Sequence, residues 1–204
     1  MRVLGLLSGI LLLGIVANTW VWSGESPTDR VRDVLEKAMD IQTKPELQGD
    51  SGRPQRAKFI RALIAENFLT AQMAQESLGD KWQGLTPAQK KEFTDLFVRL
   101  FQDSYTRMVL NFLRRETIQY LGEGKEGSRT KVRTKIMRVN EHIPVDYILV
   151  EKGNRWFMVD LIIDGVSIVR NYQNKFRQII AAKSLDYLIN QMRIQCKAIE
   201  EGSS

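Results

Sequence analysis

Apolar residues recur at helical spacing from Val31 to Phe112, at alternate positions from Thr117 to Ile163, and at helical spacing again from Val166 to Cys196. A period of two buries one face of a strand, and a period near 3.6 buries one stripe of a helix. Each block is thereby committed to its own kind of element. Helices on both sides of one block of strands give an α+β fold. Inside that block the breaks are short, at Gly122-Glu123-Gly124, Asn140-Glu141 and Gly153-Asn154. Parallel strands need a crossover of about a dozen residues or more, so the expectation is a four-stranded antiparallel meander packed against several amphipathic helices.

The strands are expected at Thr117 to Leu121, Thr130 to Val139, Ile143 to Glu151 and Trp156 to Ile163. In the second, Val132, Thr134 and Ile136 share one face, and Arg129, Lys131, Arg133 and Lys135 the other. The third alternates Val145, Tyr147 and Leu149 against Asp146, Ile148 and Val150, which predicts cover on both faces. Among the helices, Thr28 to Ile41 carries Val31, Val34, Leu35 and Ala38 on one stripe. A loop from Thr43 to Arg53 ends it, and a helix starting near Pro54 carries Ile60, Leu63, Ile64 and Phe68. Thr70 is positioned to cap a short helix that stops at Gly79.

Thr86-Pro87-Ala88-Gln89 is a start signal in which threonine caps, proline fits the first turn and Gln89 closes a capping box. The long helix that follows carries a broad apolar stripe from Phe93 to Phe112. After Gly165 a further helix is expected from Val166, with Ser167 as its cap, and Ser184 opens the last one. Asp160 and Asp164 are spaced for turn and cap duty.

The chain of 204 residues is enough for a single domain, placed at 25–204. Its one histidine (His142) and one cysteine (Cys196) cannot assemble a zinc cluster, an intrachain disulfide or a histidine-based triad. No catalytic residue, metal or cofactor is assigned. Residues 1–24 have the layout of a signal peptide, Arg2 followed by the uncharged run Val3 to Val16. Cleavage after Ser23 or Ala17 is one reading; an uncut anchor over Val3 to Trp22, about the ~20 residues that span a bilayer, is the other. Both place the body outside the inner membrane. A net charge of +6 favours anionic partners weakly. No nucleic-acid partner is expected, because the export signal and the lack of a cluster of aromatic and basic residues both oppose one.

Two stretches carry a family resemblance. The first runs from Phe68 to Tyr105 through Met73-Ala74, Leu78-Gly79, Trp82, Leu85-Thr86-Pro87-Ala88-Gln89, Glu92-Phe93 and Phe97. The second is Trp156-Phe157-Met158-Val159-Asp160-Leu161-Ile162-Ile163-Asp164-Gly165-Val166-Ser167-Ile168-Val169, continuing to Asn171-Tyr172 and Phe176. Together they resemble the MlaC, or toluene-tolerance, family of periplasmic phospholipid-binding proteins. Departures are Leu69 where the family often has an acidic residue and Gln173 where it often has arginine.

The resemblance implies an apolar cavity between sheet and helices. It also implies a noncatalytic, monomeric carrier of phospholipid or a related lipid such as a hopanoid between inner and outer membranes. Its implied partners are an inner-membrane ABC transporter complex and an outer-membrane lipoprotein–porin complex. Candidate lining residues are Phe97, Leu100, Phe101, Tyr105, Met108 and Phe112 on the long helix. The sheet offers Val145, Tyr147, Leu149, Phe157, Val159 and Leu161, and the segment after it Val166, Val169, Tyr172 and Phe176. A competing reading is an isomerase-like enzyme on a cone-shaped α+β fold, with Asp146, Asp160 and Tyr147 as its candidate acids and bases. Periodicity alone does not separate a packed core from a hollow one.

Overall fold

The computed structural model describes residues 24–202, and the expected leader lies outside the described residues. Among them are six α-helices and one antiparallel sheet that packs against them. The helices are α1 (Pro27–Thr43), α2 (Gly49–Asn67), α3 (Thr70–Leu78), α4 (Pro87–Phe112), α5 (Ile168–Ala182) and α6 (Leu185–Gly202). The strands are β1 (Thr117–Glu126), β2 (Arg129–Met137), β3 (His142–Lys152), β4 (Arg155–Ile163) and β5 (Val166–Ser167), paired in chain order. The core draws its buried members from Val31 to Cys196, so residues 24–204 contain the whole described core.

The sheet has five strands rather than four. Asp164 and Gly165, both at positive φ (49° and 79°), reverse the chain within two residues. Val166 and Ser167 then pair with Ile163 and Ile162 before α5 begins at Ile168, two residues later than expected. Such a two-residue loop is the compact hairpin connection, and it also occurs at Gly153-Asn154 (φ 57° and 59°) between β3 and β4.

β1 does not end at the Gly122-Glu123-Gly124 break. Gly122 takes φ 105° and absorbs a register shift between Tyr120 and Gly122 as a bulge, after which pairing continues to Glu126 opposite Arg129. The true turn falls at Gly127-Ser128.

The capping box at Thr86 forms as its sequence requires. The Gln89 amide donates to Thr86 Oγ1 at 3.2 Å, and the Thr86 amide donates to Gln89 Oε1 at 3.0 Å. Thr70 is not a cap: Leu69 holds the cap position of α3 without a side-chain bond, and Thr70 is buried as the first helical residue. Gly79 does end α3, at φ 55°, where an added Cβ would lie 2.6 Å from Gln173 Nε2.

The helix expected from Pro54 begins five residues earlier, at Gly49, so part of the expected loop is helical. Pro54 lies inside α2, in its second turn, and gives up the bond its amide would have made to the Asp50 carbonyl. Gly52 allows the first turn to close against the backbone of Leu47, where a Cβ would sit 2.0 Å from the carbonyl oxygen. The basic residues of β2 are partly neutralised: Arg129 pairs with Glu76 and Lys131 with Glu126, each at 2.6 Å.

Candidate functional site

A void of about 480 Å³ lies between α1, α2 and the second half of α4 on one side and β2, β3 and β4 on the other. Each element contributes one periodic face. α1 supplies Val34, Leu35 and Ala38, and α2 supplies Ile60, Leu63 and Ile64 with Phe68 just beyond its end. α4 supplies Tyr105, Met108, Val109 and Phe112, followed by Leu113. Ile136 of β2, Ile143, Val145 and Tyr147 of β3, and Met158, Leu161 and Ile163 of β4 form the floor.

Only Arg138 and Glu141 are charged among the lining residues, and both belong to the β2–β3 hairpin at the rim. The Arg138 guanidinium donates to the Phe112 carbonyl at 2.6 Å and lies 3.9 Å from both Glu116 and Glu141. Gln42 Nε2 donates to the Val109 carbonyl, which also accepts from the Leu113 amide, and to the Leu113 carbonyl just beyond α4, at 2.8 Å each. The chamber presents hydrocarbon inside and charge at the mouth.

Two phenols touch the void. Burial pushes the Tyr147 hydroxyl well above the usual tyrosine range, although a hydrogen bond with Thr134 opposes the shift. Burial does the same for Tyr105, with Tyr172 and Asp160 adding to it. Both are therefore neutral hydroxyls at any physiological pH.

Of the sixteen expected lining residues, Tyr105, Met108, Phe112, Val145, Tyr147 and Leu161 border the void. Phe97, Leu100, Tyr172 and Phe176 instead line a second, smaller crevice of about 200 Å³ between α4, α5 and α6. The reason is an aromatic column along α4. Phe93, Phe97, Phe101 and Tyr105 follow one another with ring centroids 6.2, 6.1 and 4.2 Å apart, and Tyr172 meets Phe97 at 5.2 Å. This column and the helices packed on it occupy the first half of the α4 stripe apart from that crevice, so the larger void lies along the second half. Phe101 and Val169 are buried in the packed region.

On the sheet, Leu149 is fully buried in the core beyond the void. Ile148 pairs with Asp160 and Leu149 with Met158, which leaves Val159 as the extra residue of a bulge. The bulge reverses the alternation of β4, so Met158 rather than Phe157 or Val159 shares the face of Leu161. Phe157 lies under the Arg155 guanidinium at 5.0 Å. Val166 is exposed at the start of β5.

Sequence reasoning missed the α1 and α2 wall. Its apolar stripes were visible at Val34, Leu35 and Ala38 and at Ile60, Leu63 and Ile64, but nothing in their spacing says that they face a void.

Asp160 is fully engaged in the strand-to-helix junction. Its Oδ1 accepts from the amides of Leu161 (2.8 Å) and Val169 (3.0 Å), and its Oδ2 from the Ser167 hydroxyl (2.5 Å). Ser167 Oγ in turn accepts from the Arg170 amide at 3.1 Å, as expected of a cap. The Val169 and Arg170 amides in the first turn of α5 are thus taken by the protein's own oxygens. Asp146 alternates away from Tyr147. Among the described residues, no group of three or more His, Cys, Asp or Glu is placed to hold a metal, and no helix is long and apolar enough to cross a membrane.

The architecture has a solved counterpart. The phospholipid-binding protein from Ralstonia solanacearum, solved in complex with a phospholipid, matches with a TM-score of 0.69 and 21% identity, over 82% of this chain and 97% of that one. At that identity the likeness is one of fold. No curated protein sequence matches the chain. The family model for the MlaC protein matches residues 32–194, from the first turns of α1 into α6. The chain belongs to the MlaC family.

Proposed function

We propose that the protein is a phospholipid-binding carrier, exported to the periplasm by its N-terminal segment. It acts there as a noncatalytic, monomeric lipid-binding component of an Mla-type ABC transport system. The observation that carries this reading is the void of about 480 Å³ whose only charged lining residues stand at its mouth. A methylene fills about as much space as a water molecule in the liquid, roughly 30 Å³, so the void holds hydrocarbon equivalent to about one sixteen-carbon chain.

Moving such a chain out of water gains on the order of 12 kcal/mol at ~0.8 kcal/mol per CH₂. Release into solution is correspondingly slow, so a carrier must hand the lipid from one apolar site to another. That requirement fits an inner-membrane ABC transporter complex at one end and an outer-membrane lipoprotein–porin complex at the other. The phospholipid bound by the Ralstonia protein supports the choice of ligand class.

The test is transfer of a fluorescent phospholipid between donor and acceptor vesicles. Residues 24–204 should accelerate transfer in proportion to protein concentration. Transfer at the rate of vesicles alone, with no lipid taken up by the protein, would remove the proposal.

A further inference from the structure

We infer that the mouth of the cavity is itself a membrane-docking surface, built to sit on an anionic lipid leaflet. β1 starts at Thr117 opposite Met137, the last residue of β2. The 113–116 loop and the 138–141 hairpin are therefore side by side at one end of the sheet, where α4 also ends. Two large apolar side chains stand in solvent there: Val139 at the hairpin tip is 98% exposed and Phe112 is 57% exposed.

Arginines frame them. Arg114 and Arg115 are exposed and have no carboxylate partner among the described residues. Arg53 reaches this end through Asn111 Oδ1 at 3.0 Å and likewise lacks a carboxylate. Glu116 and Glu141 both lie beside Arg138, which leaves Arg53, Arg114 and Arg115 without a carboxylate at ion-pair distance among the described residues.

Isolated exposed apolar residues are ordinary on protein surfaces. Here they share one edge with the opening of an apolar chamber and with uncompensated guanidinium groups. Guanidinium binds phosphate through paired N–H donors, and cations near an anionic leaflet add to its attraction for the protein. A bilayer surface satisfies both features at once: phosphates for the arginines and acyl boundary for Val139 and Phe112. Docked this way, the mouth opens onto lipid rather than water, so a chain could enter or leave without crossing solvent. The inference rests on the carrier reading for its purpose, yet docking and lipid content are measured separately.

The experiment is co-sedimentation of residues 24–204 with phosphatidylcholine vesicles, with and without phosphatidylglycerol, alongside mass spectrometry of extracted lipid. Binding should require phosphatidylglycerol and should fall steeply between about 0.1 M and 1 M salt, where the screening length shrinks from ~10 to ~3 Å. Arg114→Gln with Arg115→Gln should weaken it by on the order of 30-fold. Val139→Asp should weaken it further, with the fold intact because the site is fully exposed.

Equal binding to vesicles lacking phosphatidylglycerol, or unchanged binding by these variants, would overturn the inference. So would no vesicle binding while the protein still carries lipid, a result that leaves the carrier reading standing and points to a protein acceptor at the rim. Docking by a protein that never holds lipid would instead uphold the surface and remove the carrier reading.

Discussion

Ala38→Phe separates a hollow interior from a solid one, because the two give opposite signs of stability change. Ala38 is a small residue in the α1 wall of the void. Phenylalanine adds six carbons there, on the order of 100 Å³, or about the space of three to four methylenes. The void of about 480 Å³ would lose roughly a fifth of its volume. A bound chain would forfeit ~3 kcal/mol at ~0.8 kcal/mol per methylene, close to a hundredfold in affinity.

The ring would also bury apolar surface in otherwise empty space, so the lipid-free protein should gain stability or keep it. In a solid core the same insertion costs about 1–3 kcal/mol through strain. Urea denaturation of delipidated protein, read by circular dichroism, measures the first quantity. Titration with a fluorescent phospholipid measures the second. A midpoint lowered in line with overpacking, together with unchanged lipid affinity, would refute the reasoning.

Leu161→Glu places a carboxylate on the floor of the chamber, far from the charged mouth; lipid should no longer co-purify, while far-UV circular dichroism stays native. Asp160→Ala strips acceptors from the Leu161 and Val169 amides and the Ser167 hydroxyl, and should cost about 3 kcal/mol or more in urea unfolding. Tyr105 and Tyr147 keep their protons in the folded state beyond the ordinary tyrosine value of 10.0. Above that pH the unfolded chain binds fewer protons than the folded one, so stability should fall by about 1.4 kcal/mol per pH unit for each tyrosine. Tyr147→Phe should reduce that slope in alkaline denaturation. Gly52→Ala drives a methyl group into the Leu47 backbone and should lower the thermal midpoint by several degrees, about 1–3 kcal/mol of strain in a domain of this size.

Much of the architecture was legible in the residues. The change of period placed β2, β3 and β4 within two residues of their ends, and Thr86 through Gln89 marked the start of α4. What local pattern missed was set by long-range geometry. Gly122 looked like a turn, but β2 was long enough to keep pairing past it, so the strand absorbed the glycine as a bulge. Val159 carries no mark that separates it from Phe157 or Leu161, yet its bulge decides which β4 side chains face the chamber.

The α4 stripe runs unbroken from Phe93 to Phe112. Only the arrival of α5 and α6, more than fifty residues later in the chain, covers one half and leaves the larger void along the other. For the same reason the α1 and α2 wall was readable as amphipathic helix and unreadable as cavity lining. A void is a property of several elements together, and no single stripe encodes it.

The claim on which this account turns is that the chamber holds a lipid's hydrocarbon. Native mass spectrometry of residues 24–204, recovered from cells without detergent, tests it most directly. The account predicts a species heavier than the polypeptide by the mass of a phospholipid or related lipid, reduced in Ala38→Phe and lost in Leu161→Glu. A single species at the polypeptide mass, unchanged after incubation with phospholipid vesicles, would contradict it.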